Sequence, residues 1–392
     1  MKPAFSTRIQ SIDIFRALTM FFMIFVNDLW TLVSYPKWLG HMPAEEDALG
    51  FSDIIFPAFL FIVGLSIPFA IRARISKGDS KGTIIWHIAQ RFFALIAMGV
   101  LMVNLESINN DALPFSKYWW QILMTLSFFL IWNNYQTKKV FNKIPTWAMM
   151  LTGWLIIAFL LFVYQGGTTE EPTWMKPHWW GILGLIGWAY LLNAIIYLFA
   201  GNRAIIIGGV LAVLYALNSL EFVDGFESVK FIVSASNHAL VMSGVMATVL
   251  FIRYREEGNE KGFLSGLIVL AILSLVFGYA TRPEWGISKI YATPSWASIC
   301  AGFSFIVYVI LYIITDKFQR ANWAILFQPA GRSTLTCYLI PYFYYAIVAL
   351  LGLSLPDFFL TGWIGIIKSL LFALLIIQVT WVFEQFNIRL KI

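Results

Sequence analysis

Twelve stretches of this chain read as apolar runs of membrane-spanning or near-spanning length: 14–33, 53–71, 84–104, 118–134, 147–164, 180–199, 204–219, 238–253, 263–281, 295–315, 334–353 and 362–383. About 20 apolar residues are needed to cross a bilayer as a helix. No water reaches the hydrocarbon to satisfy a backbone N–H or C=O, so a run that enters it must satisfy its own backbone. The fold class expected is therefore all-α: a polytopic integral membrane helical bundle of about twelve (10–12) transmembrane helices. Composition agrees, with 59% of the 392 residues hydrophobic and 12% charged. An ordinary soluble domain carries roughly 25% charged residues, and no soluble core of this length could bury so much apolar surface.

Twelve spans place both termini on one side, and the loop charges say which. Lys2, Arg8, Arg72, Arg74, Lys77, Lys81, Lys138, Lys139, Lys143, Arg203, Arg253, Arg255, Lys261, Lys317, Arg320, Arg389 and Lys391 all fall on one face of this topology. The opposite face carries Lys37, Lys117, Lys176, Lys230, Arg282 and Lys289 among acids that include Glu45, Glu46, Asp47, Glu170, Glu171, Glu221, Asp224 and Glu227. The positive-inside rule makes the first face, with both termini, cytoplasmic. The +6 net charge is thus a loop bias and needs no nucleic-acid partner. The short basic stretch from Met1 to Arg8 leads into an apolar run without a small-residue cleavage site, which reads as a retained first helix. Cys300 and Cys337 lie inside apolar runs, with neither a disulfide framework nor metal-ligand spacing, so no metal is expected. No linker interrupts the spans, and residues 1–392 read as a single integral-membrane domain.

Against this apolar background, residues 8–57 stand out. They carry Asp13, Arg16, Asn27, Asp28, His41 and Asp53 on and around the first two spans. A charge near mid-bilayer costs at least ~2.5–3.5 kcal/mol on insertion scales, so such a cluster is a functional-site hypothesis by default. Asn27 and Asp28 end the first span and Asp53 begins the second, so a hairpin of the two would bring them near the loop that holds His41. Histidine changes charge near physiological pH, and a neighbouring carboxylate orients it as a base. A loop histidine with solvated neighbours fits the same spacing. Asp13 and Arg16, three apart, share a helix face. They are either a structural ion pair or, with Arg72, Arg74 and Arg91, a grip for a phosphate-bearing ligand. Neither glycine-rich phosphate-loop pattern occurs, so a nucleotide-like ligand would be held by side chains and helix ends. His178 sits among tryptophans, and His238 could simply cap the eighth span. Two further polar interruptions, SKIYATPSW (288–296) and QPAGRSTLTCYLIP (328–341), either line a cavity or break helices.

These residues resemble the transmembrane acyltransferase family typified by heparan-α-glucosaminide N-acetyltransferase. The matching segments are RIQSIDIFRALTMFFMIFVND, the following His41, and SDIIFPAFLFIVGLSIPFAI, with GVMATVLF, KIYATPSW and PAGRSTLTCYL as later landmarks. The resemblance implies that acetyl-CoA, as cytosolic co-substrate, donates an acetyl group across the membrane to an amino sugar or glycan. It implies catalytic roles for His41, Asn27 and Asp53 and coenzyme contacts at Arg16, Arg72, Arg74 and Arg91. Acceptor contacts would fall at Asp28, His238, Lys289 and Trp296. The implied core is 8–164 and 238–383, with a helix pair at about 178–219 as an addition. Where the family carries an arginine after the glutamine of the fourth span, Gln121 is followed here by Ile122. The partners expected are the acyl donor, the glycan acceptor and the lipid bilayer of a bacterial cytoplasmic membrane, with a homodimer among the open assemblies. A sugar or proton-coupled secondary transporter is the rival reading, because it too uses intramembrane polar residues.

Overall fold

Every one of the twelve apolar intervals forms a helix in the computed structural model, which describes residues 9–135, 144–168, 170–225 and 232–392. Several loop charges used above (Lys2, Arg8, Lys138, Lys139, Lys143, Glu227 and Lys230) lie outside the described residues. In chain order the helices are α1 (Gln10–Asp28), α2 (Phe51–Ser76), α3 (Lys81–Asn104), α4 (Lys117–Trp132), α5 (Thr146–Val163), α6 (Gly181–Ala200) and α7 (Ala204–Leu220). There follow α8 (Ala235–Glu256), α9 (Glu260–Trp285), α10 (Pro294–Tyr312), the short α11 (Gln328–Arg332), α12 (Thr334–Leu350) and α13 (Gly362–Gln385). The only strands among the described residues are a two-residue pair, β1 (Gly166–Gly167) and β2 (Pro172–Thr173).

Eight of these helices are long and apolar enough to cross a membrane: α2, α3, α5, α6, α8, α9, α10 with its continuation to Lys317, and α13. The helices flanking Ser333 supply a ninth if they count as one broken span. At 17 residues α7 is shorter, and at 1.5 Å per residue reaches about 25 Å against a hydrocarbon core of about 30 Å. The outer faces declare their solvent. Ile268, Val269, Ile272, Leu273 and Val276 of α9 are exposed together, as are Ile364, Ile367, Leu371 and Leu375 of α13. Apolar faces of that extent belong against lipid tails rather than water. The chain is a multi-pass, all-α membrane protein.

Two compact units divide it. The first comprises 1–26, 36–88 and 189–332. Its axis is α8, buried along nearly its whole length because small residues repeat on it: Ala235, Ser236, Ala239, Ser243, Gly244, Ala247 and Thr248. Gly64 of α2 and Gly244 of α8 meet backbone to backbone. A Cβ on Gly64 would collide with the Val241 carbonyl, and one on Gly244 with that of Phe61. Small residues that let backbones touch are how helices associate where lipid removes the hydrophobic drive. Thr248 adds a hydrogen bond to the Leu65 carbonyl at 2.9 Å. Phe61, Phe251, Phe263, Phe305 and Tyr308 pack around this contact. The start of α1 is fixed here too: the Gln10 and Ser11 amides both donate to Asp316, each at 2.9 Å.

The second unit comprises 27–35, 89–188 and 333–392. In it Gln121 of α4 donates to the Tyr342 carbonyl of α12 at 2.8 Å, and Phe129 packs against Phe343 and Phe383. Asn104, fully buried at the end of α3, donates to the Lys176 carbonyl at 2.7 Å.

Candidate active site

The first turn of α2 shapes the site. Gly50 precedes the helix, and Asp53 stands at its third position, where it accepts from the Gly50 amide at 3.1 Å. Acidic side chains are favoured there because the first amides of a helix lack partners and carry the positive end of its dipole. The loop before α2 folds tightly onto it. A Cβ on Gly50 would strike the Gly40 carbonyl, and the Ser52 hydroxyl donates to Leu39 at 2.7 Å. That fold brings His41 over the same carboxylate, with Nδ1 donating to Asp53 Oδ1 at 2.7 Å. The Met42 amide donates to Oδ2 at 3.1 Å.

One carboxylate therefore caps a helix, ties down a loop and orients an imidazole. The Asp53 side chain is only 3% exposed and that of His41 is 48% exposed. Because Nδ1 carries the proton given to Asp53, the lone pair of the ring is on Nε2, the nitrogen left to act on a substrate.

The third member comes from far along the chain. Lys289, in the turn before α10, places Nζ 3.1 Å from Nδ1 and 3.4 Å from Nε2 of His41, and 3.9 Å from Asp53 Oδ1. Since Nδ1 is already a donor, Nε2 is the ring atom able to accept from the ammonium. Burial pushes the Lys289 ammonium below the ordinary lysine range, and the Asp53 charge opposes that fall. Beneath the group lies Trp296 of α10, fully buried, whose indole N–H donates to the Asp53 carbonyl at 3.2 Å.

The remaining sequence-predicted residues have contacts of their own. Arg16 donates to Asp13 at 3.2 Å and to the Ser66 hydroxyl at 2.7 Å, so the helix-face ion pair exists. Arg72 approaches Glu256 at 3.6 Å, and Arg74 pairs with Asp79 at 3.1 Å. These three arginines belong to the first unit and Arg91 to the second. His238, on α8, makes none of the contacts around His41. Its Nδ1 is buried without a hydrogen-bond partner among the described residues, and its carbonyl accepts from Asn193 at 3.2 Å.

Asn27 and Asp28 fall in the second unit, Asn27 exposed and Asp28 buried. Asp28 accepts from Tyr345 and from Lys368, each at 2.7 Å, and Lys368 also donates to Thr31 at 2.6 Å. Neither Lys368 nor Tyr345 is a sequence-predicted site residue. The available signal was a lone lysine in the apolar run of α13. Among the described residues no cluster of His, Cys, Asp and Glu is arranged to hold a metal ion, and both cysteines are free and buried.

Fold and site together define a class: a helical membrane protein that presents an imidazole braced by a carboxylate and flanked by an ammonium. Residues 8–177 match the family model described as heparan-alpha-glucosaminide N-acetyltransferase, catalytic. The human heparan-alpha-glucosaminide N-acetyltransferase is 34% identical over 101 residues, covering 26% of this chain and 14% of the human protein. The mouse protein of the same name is 24% identical over 369 residues, covering 84% of this chain and 53% of its own length. The chain thus spans about half the length, or less, of the curated relatives it matches. It resembles the heparan-α-glucosaminide N-acetyltransferase family, as its first hairpin indicated, and the match contains both His41 and Asp53.

Proposed function

We propose that the protein is a transmembrane acyltransferase that moves an acetyl group from acetyl-CoA to an amino sugar or glycan on the extracytoplasmic side of a bacterial cytoplasmic membrane. The observation that carries this reading is the His41–Asp53 pair, a half-exposed imidazole whose inner nitrogen donates to a buried carboxylate and whose outer nitrogen has the Lys289 ammonium beside it at 3.4 Å. The family resemblance supports the reaction, and the charge bias of the loops supports its direction.

In this reading Nε2 of His41 takes the proton of the acceptor amine as its nitrogen attacks the thioester carbonyl. The C–S bond breaks and coenzyme A leaves as the thiol or thiolate. The same nitrogen serves a two-step route, in which it first accepts the acetyl group and then passes it to the amine. Asp53 holds the tautomer and balances the imidazolium. The Lys289 ammonium beside Nε2 faces the negative charge that builds on the carbonyl oxygen in either route, where a fixed donor is worth ~2.7–4 kcal/mol in other enzymes. Arg16, Arg72 and Arg74 are the cations of the first unit offered to the coenzyme's phosphates, in competition with the acids they now pair.

The test is direct. Purified protein in detergent receives radiolabelled acetyl-CoA and glucosamine, and acetylated product is followed for wild type and His41→Ala. Transfer that is lost in the variant is the expected result. Absence of coenzyme binding and of turnover on any amino sugar, with uptake in proteoliposomes instead, would establish the transporter. A rapid acid quench that traps acetyl-imidazole separates the one-step from the two-step route.

A further inference from the structure

Helices α6 and α7 hold none of the groups assigned to the chemistry, yet the end of α7 reaches the turn that carries Lys289. Asn218 is fully buried, and its Nδ2 lies 3.1 Å from the Ala292 carbonyl, 3.2 Å from the Ser234 hydroxyl and 3.4 Å from Glu221 Oε2. Its own carbonyl oxygen has no hydrogen-bond partner among the described residues, so the amide is held there by what it donates to. Ala292 closes the turn: its N–H bonds the Lys289 carbonyl at 3.1 Å, and the Thr293 N–H bonds that of Ser288 at 3.1 Å.

Ala292 adopts φ 59°, a left-handed conformation that a residue with a Cβ holds only when its surroundings impose it. Asn218 grips the carbonyl of that residue. On the other flank, the Ile287 amide donates to Asp47 Oδ1 at 2.7 Å, and Asp47 belongs to the His41 loop, where Arg282 clamps it at 2.8 Å. The turn is thus fastened at both ends, and Lys289 projects from between the fastenings onto His41.

We infer that Asn218 is a positioning residue for Lys289: through the Ala292 carbonyl, α7 fixes the turn that holds the lysine ammonium against the His41 ring. The role of α7 is distinct from capping. Ser234 caps α8 through the Ser236 amide at 3.3 Å, and Glu221 accepts from the Ala235 amide at 2.6 Å. Neither bond touches the turn.

The experiment has two arms, of which only the second rests on the acetyl-transfer reading. In the first, detergent-solubilised protein is labelled with the acetyl ester of N-hydroxysuccinimide, and Lys289 modification is measured against Lys37 by mass spectrometry. Asn218→Ala should raise the relative labelling rate of Lys289 severalfold. Ser234→Ala, which removes a second acceptor and the α8 cap but leaves the Ala292 carbonyl, should leave it unchanged. In the second arm, Asn218→Ala should lower kcat by about 10²-fold, the cost of a misplaced reacting group, with KM for acetyl-CoA unchanged. In a Lys289→Met background it should add no further loss, because the two changes act through one group. Unchanged Lys289 labelling in folded Asn218→Ala, an equal rise in Ser234→Ala, or additive losses in the double variant would overturn the inference. If Asn218→Ala does not fold, Asn218→Ser, too short to reach the Ala292 carbonyl, is read the same way. A wild type that transfers no acetyl group sinks the functional reading, and the labelling arm alone then decides this one.

Discussion

Two buried aspartates, Asp53 and Asp28, meet a lysine in opposite ways. Asp53 spreads its oxygens over His41, two loop amides and, at 3.9 Å, Lys289, and the imidazole it orients is half exposed. Asp28 is 2% exposed and closed on itself, with Tyr345, Lys368 and Thr31 ending its network inside the second unit. Sequence reasoning placed both among the site residues, Asp53 as a catalytic group and Asp28 as an acceptor contact, and both are carboxylates at the end of an apolar helix, where a charge is expensive. The difference teaches that expense alone does not mark chemistry. A carboxylate bonded to a lysine and a tyrosine is a lock. One that holds a half-exposed imidazole is, under the proposed function, a tool.

The comparison can be broken by mutation. The largest effect should come from His41→Ala, with acetyl transfer falling about 10²–10⁴-fold while the thermal midpoint in detergent stays near wild type. Equal activity would remove the tool. Next, Lys368→Met strands the Asp28 charge and should cost about 3–5 kcal/mol of stability, read by thermal or denaturant unfolding. Its partner change Asp28→Asn should recover much of that loss in the double variant. A Lys368→Met protein as stable as wild type would mean the lock holds nothing. Asn27→Ala tests the oxyanion role that the family resemblance implies, with an expected rate loss of about 10²–10³ and little change in stability. Wild-type turnover would leave Asn27 without that role.

A smaller effect is expected at the basic groups. Arg72→Ala with Arg74→Ala should raise KM for acetyl-CoA about tenfold and leave kcat alone, since arginines that hold only the coenzyme's phosphates bind them equally in ground and transition states. The smallest concerns pH. Lys289 faces His41, Asp53 and the buried Cys300, and burial holds its ammonium below the free-lysine value of about 10.4. A lowered value means the proton leaves sooner as pH rises, so kcat should fall on the alkaline side before an ordinary lysine would titrate. Lys289→Arg, which stays charged, should carry that limb to higher pH. An alkaline limb identical in both proteins would exclude Lys289 as its source.

Much of this was legible beforehand, for reasons that particular residues make plain. All twelve apolar intervals became helices because a backbone in hydrocarbon has few other options. His41 and Asp53 are twelve residues apart, so a turn and one helical start suffice to join them. The Asp13–Arg16 pair was readable from helical spacing. Lys289 could be suspected as a polar group in a loop, but its seat on the imidazole depends on a contact across 248 residues. Trp296, which the resemblance implied at the acceptor, lies fully buried under Asp53, a depth that sequence does not record. Asn218 carried no signal at all, because a single asparagine at the end of a short helix looks like a cap.

What the amino-acid sequence determined by itself was the solvent and the local elements: lipid outside, helices within, and one histidine tethered close to one carboxylate. Those follow from hydropathy and from hydrogen bonds between near neighbours. Tertiary structure alone decided which buried charge received which partner. Asp28 closes on Lys368, 340 residues away, and Asp53 stays open through His41. A charge in a low-dielectric interior must find a counter-charge or a donor, yet hydropathy records only that it is present. Where its partner lies is set by how the helices pack.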